Sequence, residues 1–265
     1  MTKRAFFMRI LTLLMALALC VGALACAATP AAATTTQAPT AAPTEAPAAT
    51  EAPEATAAPT PEDNLNITIL YEEDDSLINN YSLIAVNEAA PFVDADGNAV
   101  TDVAINTVGA KALIDWMLGD EAAQLISNYG VENFGEPLFS LKADKPVSTA
   151  TVPQATDETK TIRLSTTTSV NDSGLLAALL PTFESEYGYT VEVASAGTGK
   201  AIAAAQMGNA DMILVHSKTQ EQAFIDAGFA KTLEGYDSAR LTFMYNYFVL
   251  VGPKDDPAKC AEAAS

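Results

Sequence analysis

The sequence predicts an α/β fold with a mainly parallel sheet flanked by helices. Strand-like and helix-like stretches alternate along residues 160–257. Two loops rich in hydroxyls and glycine stand where such strands hand over to helices. A shorter segment, 64–141, repeats the sequence of strands followed by apolar helical spacing.

Taken in order, the second segment opens with a strand at Thr161–Leu164. A helix follows over 174–186, with Leu175, Leu176, Leu179 and Leu180 on its buried side; Asn171, Asp172 or Ser173 is its candidate cap. Tyr189–Ala194 is a strand and Lys200–Met207 a helix. Asp211–Val215 is a strand, and Gln220–Ala227 a helix closed by Gly228. Met244–Gly252 reads as one long apolar strand. In the first segment, Ile67–Tyr71 and Tyr81–Val86 are strands, followed by a turn at Asp94–Gly97. Ala110, Leu113, Ile114, Met117 and Leu118 have helical spacing, and Gly119-Asp120 restarts a helix that ends by Gly130. The polar stretch 142–159 reads as a linker.

The N-terminus carries an address. Lys3, Arg4 and Arg9 precede an apolar run from Ile10 to Ala25, and no acidic residue occurs before Glu45. A basic start, a short apolar run and small residues at its end mark a secretory signal, here residues 1–25. Ala23-Leu-Ala-Cys26 resembles a lipobox, with Ala23 where leucine is usual, which makes Cys26 the expected lipid attachment point. Cys20 is a poorer candidate because bulky Leu19 precedes it. Ordinary cleavage nearby, releasing a free secreted protein, is the competing expectation. Residues 26–63 are dominated by Ala, Pro and Thr and cannot bury a core. They read as a tether whose first 35 or so residues, at ~3.1 Å each, reach on the order of 100 Å.

Composition narrows the chemistry. A formal net charge of −19 argues against a nucleic-acid surface. Cys20, Cys26 and Cys260 form no disulfide framework and no zinc pattern. The single histidine, His216, follows an apolar strand and reads as a structural or loop residue. A zinc enzyme and a Ser-His-Asp hydrolase are therefore unsupported, and no cofactor or metal is expected.

The two strand-to-helix loops are Ser165-Thr-Thr-Thr-Ser169 and Ala196-Gly-Thr-Gly-Lys200. Each offers backbone N–H groups at a helix start, where the dipole favours an anion. Hydroxyls add neutral donors, as an acidic protein needs if it is to hold an oxyanion. The bland alternatives are helix capping for the first loop and a tight turn for the second. A nucleotide-binding P-loop is excluded, because Ala194 stands at its first glycine and Ala201 at its Ser or Thr.

Four words carry a resemblance: Ser165-Thr-Thr-Thr-Ser-Val-Asn-Asp-Ser-Gly-Leu-Leu176, Ala196-Gly-Thr-Gly-Lys-Ala201, Asn209-Ala-Asp-Met-Ile-Leu-Val-His216 and Met244-Tyr-Asn-Tyr-Phe-Val-Leu-Val-Gly-Pro253. Together they resemble the N-terminal part of the tungstate-binding proteins of ABC transporters, with Tyr247 where that family has Asp. The earlier segment resembles the family's C-terminal part, through Asn79-Asn-Tyr-Ser-Leu-Ile-Ala-Val-Asn87, Ala110-Lys-Ala-Leu-Ile-Asp-Trp-Met117 and Phe134-Gly-Glu-Pro-Leu-Phe139.

The resemblance implies a periplasmic-binding-protein-like (type II) lobe, circularly permuted: 64–141 and 160–257 build one lobe, and the 142–159 linker spans roughly 20–25 Å between them. Residues 258–265 look like the truncated start of a second lobe, whose Ser-Arg-Gly-Asp and Ser-Gly-Thr words are absent. It further implies a solute-binding component of an ABC importer. That component would not be an enzyme. Its partners would be tungstate or molybdate, a permease and, through Cys26, the outer face of the cytoplasmic membrane. The oxyanion-binding candidates are Thr166, Thr167, Thr168, Ser169, Gly197, Thr198 and Gly199. Tyr81, Tyr245 and Asn246 are hinge or rim candidates. With one wall only, capture by this chain alone is expected to be weak or nil. A single-lobe surface lipoprotein that makes partner contacts without binding a ligand is the alternative.

Overall fold

The structure is a computed structural model and describes residues 66–72 and 74–262. The signal segment, Cys26 and the whole of the tether lie outside the described residues. Two strands form a separate antiparallel ribbon: β1 (Ile67–Tyr71) and β9 (Leu250–Pro253). The main sheet has seven strands. The first segment supplies β2 (Ile78–Val86) and β3 (Ser140–Leu141). The second supplies β4 (Thr161–Thr167), β5 (Thr190–Ala196), β6 (Met212–Val215), β7 (Ala230–Lys231) and β8 (Leu241–Tyr247). Their order is β3-β8-β2-β6-β4-β5, with β7 also on β2.

This corrects the mainly parallel sheet. β4 pairs in parallel with β5 and β6, but β2 is antiparallel to β6, β7 and β8, and β3 to β8. Because β2 inserts between β6 and β8 against their common direction, the sheet is mixed. The fold remains α/β, with helices on both faces.

Strand periodicity explains the two faces. In β2, Tyr81, Leu83 and Ala85 belong to one buried cluster, and Ile84 and Val86 to the other. In β6, Met212 and Leu214 alternate in the same way with Ile213 and Val215. The first face is covered by α1 (Thr107–Met117), α2 (Asp120–Asn128) and α5 (Leu175–Tyr187). The second is covered by α6 (Thr198–Gln206) and α7 (Lys218–Asp226). Short α3 (Val131–Phe134) and α4 (Thr168–Asp172) complete the set. Both sequence segments therefore contribute to one core: Trp116 of α1 packs on Phe183 of α5 at 5.5 Å between ring centres.

Polar contacts knit the same two segments. Asn106 caps α1 by accepting from Gly109 N (2.8 Å), while its Nδ2 donates to the Thr159 and Thr161 carbonyls, each at 2.7 Å. The stretch 142–159 has no helix or strand, yet it is anchored. Ser148 Oγ donates to Asp115 Oδ1 (3.0 Å), Ala155 N donates to the Tyr187 carbonyl (2.8 Å), and Val152 packs on the core.

Local boundaries shift for identifiable reasons. The long strand expected at 244–252 is two strands, β8 and β9, because the chain leaves the main sheet at Phe248 to join the ribbon. The helix expected from 174 is preceded by the separate turn of α4. Gly174 sits between them at φ +80°, and a β-carbon there would lie 2.6 Å from Tyr129 Oη. Gly174 is the N-cap of α5, and Ser173 Oγ accepts from Leu175 N at 3.3 Å. Near the end, Cys260–Glu262 is a short 3-10 turn.

Candidate functional site

The two hydroxyl- and glycine-rich loops emerge side by side. β4 and β5 are parallel neighbours in which Thr166 faces Ser195 and Thr167 faces Ala196. Paired strands lie about 4.8 Å apart, so the starts of α4 and α6 leave the same sheet edge as neighbours. Helix starts leave backbone N–H groups without intrahelical acceptors. Neither Thr167, the N-cap of α4, nor Gly197, the N-cap of α6, closes its helix with a side-chain bond.

The side chains of the first loop divide by role. Thr166 is fully buried, and its hydroxyl donates to the Leu214 carbonyl at 2.7 Å, tying β4 to β6. That hydroxyl is engaged inside the sheet and is not available to an ion. Thr167 is buried with its Oγ1 3.1 Å from Ser169 Oγ. Thr168 and Ser169 are exposed. In the second loop, Gly197 and Gly199 are exposed and Thr198 is half-buried.

Around Ser169 the fold gathers a neutral cluster. Tyr81 Oη lies 3.4 Å from Ser169 Oγ and accepts from Asn79 Nδ2 at 2.8 Å. Asn79 Nδ2 also donates to Asn246 Oδ1 at 3.1 Å. Tyr81 and Asn246 thus join the cluster. Tyr245 does not share these contacts; it lies opposite Asn80 and Ser140 in the sheet, with its ring 5.7 Å from that of Tyr247.

The cluster also includes His216, whose place after an apolar strand predicts a structural or loop role. Its Nε2 is 3.3 Å from Ser169 Oγ, and its ring lies 5.1 Å from that of Tyr81. The available signal was its place at the C-terminal end of β6, beside the end of β4, where α/β ligands sit. Burial holds the His216 imidazole below its usual pKa of 6.5, so it is neutral at pH 7. An unfolded chain takes up a proton at pH values where folded His216 resists it, so this residue makes stability fall as pH falls. Chemical denaturation of wild type and His216→Asn should show wild type losing stability relative to the variant from near pH 6.5 downward. The difference removes the opposite contribution of Glu221, whose carboxyl is pushed up by burial.

Among the described residues, no cluster of three or more His, Cys, Asp or Glu is placed to hold a metal ion. No helix among them is long and apolar enough to cross a membrane. What this edge of the sheet presents is a set of uncharged donors: two helix starts, Thr167, Ser169 and their Tyr81, Asn79 and His216 neighbours.

Residues 151–264, which include both loops and His216, match the PBP superfamily domain. The chain is 46% identical over 100 residues to a Haloferax volcanii protein named as an ABC transporter anion-binding protein, covering 38% of this chain and 27% of that one. It is 47% identical over 98 residues to the tungstate-binding protein TupA of Peptoclostridium acidaminophilum, covering 37% and 32%. With the protein of the same name from Campylobacter jejuni it shares 37% over 91 residues, covering 34% and 31%. The matched part of this chain spans about a third of the length of these relatives.

Proposed function

We propose that the chain is an oxyanion-binding, extracytoplasmic component of an ABC importer, with tungstate as its ligand and molybdate as the closest competitor. The observation that carries this reading is the register of β4 and β5, which sets two uncapped helix starts beside one hydroxyl cluster. Thr167, Thr168, Ser169, Gly197, Thr198 and Gly199 hold the ion, with Tyr81, Asn79 and His216 behind Ser169. Thr166 holds the strand in place and does not touch the ion. The relatives named for tungstate and for anion binding support the ligand class. In this reading the two segments form one lobe in permuted order, and Cys26 carries the lipid that keeps the protein beside its permease. No nucleic acid and no catalytic step is involved.

The donor chemistry sets the selectivity. Tungstate, molybdate and sulfate carry no proton at neutral pH, whereas phosphate retains one and needs an acceptor for it. Thr167, Ser169, Tyr81, Asn79 and Asn246 bring no carboxylate. Calorimetric titration of the purified chain at pH 7.5 should give heats of weak binding for tungstate and molybdate, as one wall allows, and a smaller one still for phosphate. Phosphate binding as tight as tungstate would overturn the selectivity, and no binding of any oxyanion by a folded chain would overturn capture.

A second reading, partner contact without a ligand, has its own observation. Ile67 and Ile69 of β1 and Phe248, Val249, Leu250 and Val251 are exposed around the ribbon. Apolar residues gathered in this way mark contact surfaces. A null titration with a cooperative melt would favour it.

A further inference from the structure

We propose that a second anion site, for a small organic anion, lies beside the oxyanion loops, with Lys142, Lys218 and Arg240 as its cationic wall. These residues line a cleft of about 400 Å³ that runs from His216 across the start of β2, with Ser82, Thr242 and Phe248 among its other walls. In a chain of formal charge −19 with 14 Lys and Arg in all, this convergence of cations stands out.

The wall is built rather than incidental. Arg240 is mostly buried, with its Nε 2.9 Å from Glu221 Oε2 and its Nη2 donating to the Lys218 carbonyl at 2.9 Å. Glu221, itself 2% exposed, also accepts from Ser217 N at 2.8 Å, which fixes the start of α7. The charge of Glu221 is answered by Arg240, and His216 is neutral at pH 7. That leaves the charges of Lys142 and Lys218. Lys142 pairs with Asp144 at 3.5 Å, whose carboxylate is 82% exposed, a pair of the kind worth little in water. With Glu221, the carboxylate among the lining residues, paired to Arg240, the cleft keeps a net positive lining, which concentrates anions.

Size and lining set the ligand class. Small-molecule sites run from about 300 to 1,000 Å³. A lone tetrahedral oxyanion occupies only a few water volumes of ~30 Å³ each and would leave most of this cleft empty. Ile78 and Phe248 supply apolar wall for a carbon skeleton, while Ser82 Oγ and Thr242 Oγ1, 2.9 Å apart, supply hydroxyls. A carboxylate and a phosphoryl head group share the required chemistry.

The test is titration of the purified full chain with succinate and with glycerol 3-phosphate, each with and without saturating tungstate. At least one probe should bind, more weakly as salt rises, and tungstate should change its affinity no more than a few-fold. Lys142→Gln combined with Lys218→Gln should lower probe affinity by about tenfold or more at unchanged melting temperature. Thr167→Ala combined with Ser169→Ala should leave it intact. If neither probe binds, or if binding survives the double lysine variant, the proposal is wrong. Loss of tungstate heat in that variant would place the lysines in the oxyanion site and also overturn it. Probe binding without tungstate binding would sink the oxyanion reading and leave this one standing.

Discussion

Asp211→Ala is expected to cost about 3 kcal/mol of folding stability, the low end for breaking a buried ion pair. Asp211 is fully buried and accepts four hydrogen bonds, two of them from the charged guanidinium of Arg163. Its Oδ2 takes Arg163 N at 2.7 Å and Nε at 3.2 Å; its Oδ1 takes Arg163 Nη2 at 2.5 Å and Asn106 N at 2.8 Å. Arg163 also reaches the Gly208 carbonyl (2.8 Å) and the Ala104 carbonyl (2.7 Å). Removing the carboxylate leaves buried N–H groups unpaired and loosens α1 from β4. Arg163 itself is about one-third exposed, so water recovers part of its solvation, which is why the low end is chosen. Urea unfolding should show a lower midpoint with an unchanged slope. Asp144→Ala, which removes a surface pair, should change stability by less than about 0.5 kcal/mol. A loss below ~1 kcal/mol for Asp211→Ala would contradict the argument, since even one unsatisfied buried donor costs that much.

Thr167→Ala combined with Ser169→Ala is expected to weaken tungstate binding about 100-fold. Hydrogen bonds to a charged group contribute about 1.5–3 kcal/mol each. Ser169 is exposed, so the lower figure applies; two such bonds give ~3 kcal/mol, or two decades in affinity. The informative control is Thr166→Val. Its hydroxyl faces the Leu214 carbonyl and not the loop, so this variant should keep tungstate affinity within a few-fold. Its loss should appear in stability instead, at about 1 kcal/mol. Calorimetric titration together with thermal melts on all three proteins reads both quantities. Equal losses of affinity for Thr166→Val and the double variant would show that the loop responds to sheet packing and not to its hydroxyls.

The pair illustrates what was legible in the residues. Ser165-Thr-Thr-Thr-Ser169 reads as one word of interchangeable hydroxyls. Strand geometry divides it: Thr166 continues β4 and turns into the sheet, while Ser169 lies beyond the strand's end. Extending the strand by three residues past Leu164 made that difference, and strand ends are set by neighbouring strands rather than by local propensity. His216 shows the same limit from the other side. Its own sequence context marks it only as the residue after a strand; the parallel pairing of β4 with β6 brings it to Ser169, 47 residues away. The cationic cleft was equally hidden, because Lys142, Lys218 and Arg240 are dispersed along the chain.

The sequence by itself determined the α/β class, the two strand-to-helix loops and their neutral donor chemistry. These rest on local periodicity and on residue types, which act within a few positions of one another. Only the tertiary structure decided that β2 runs against β6 and β8, which hydroxyls face the solvent edge, and that His216 and three cations meet there. Those outcomes depend on which strands pair and in which register. Register is selected by burying alternate side chains on both faces of one sheet, a condition that residues from 78 to 247 satisfy only jointly.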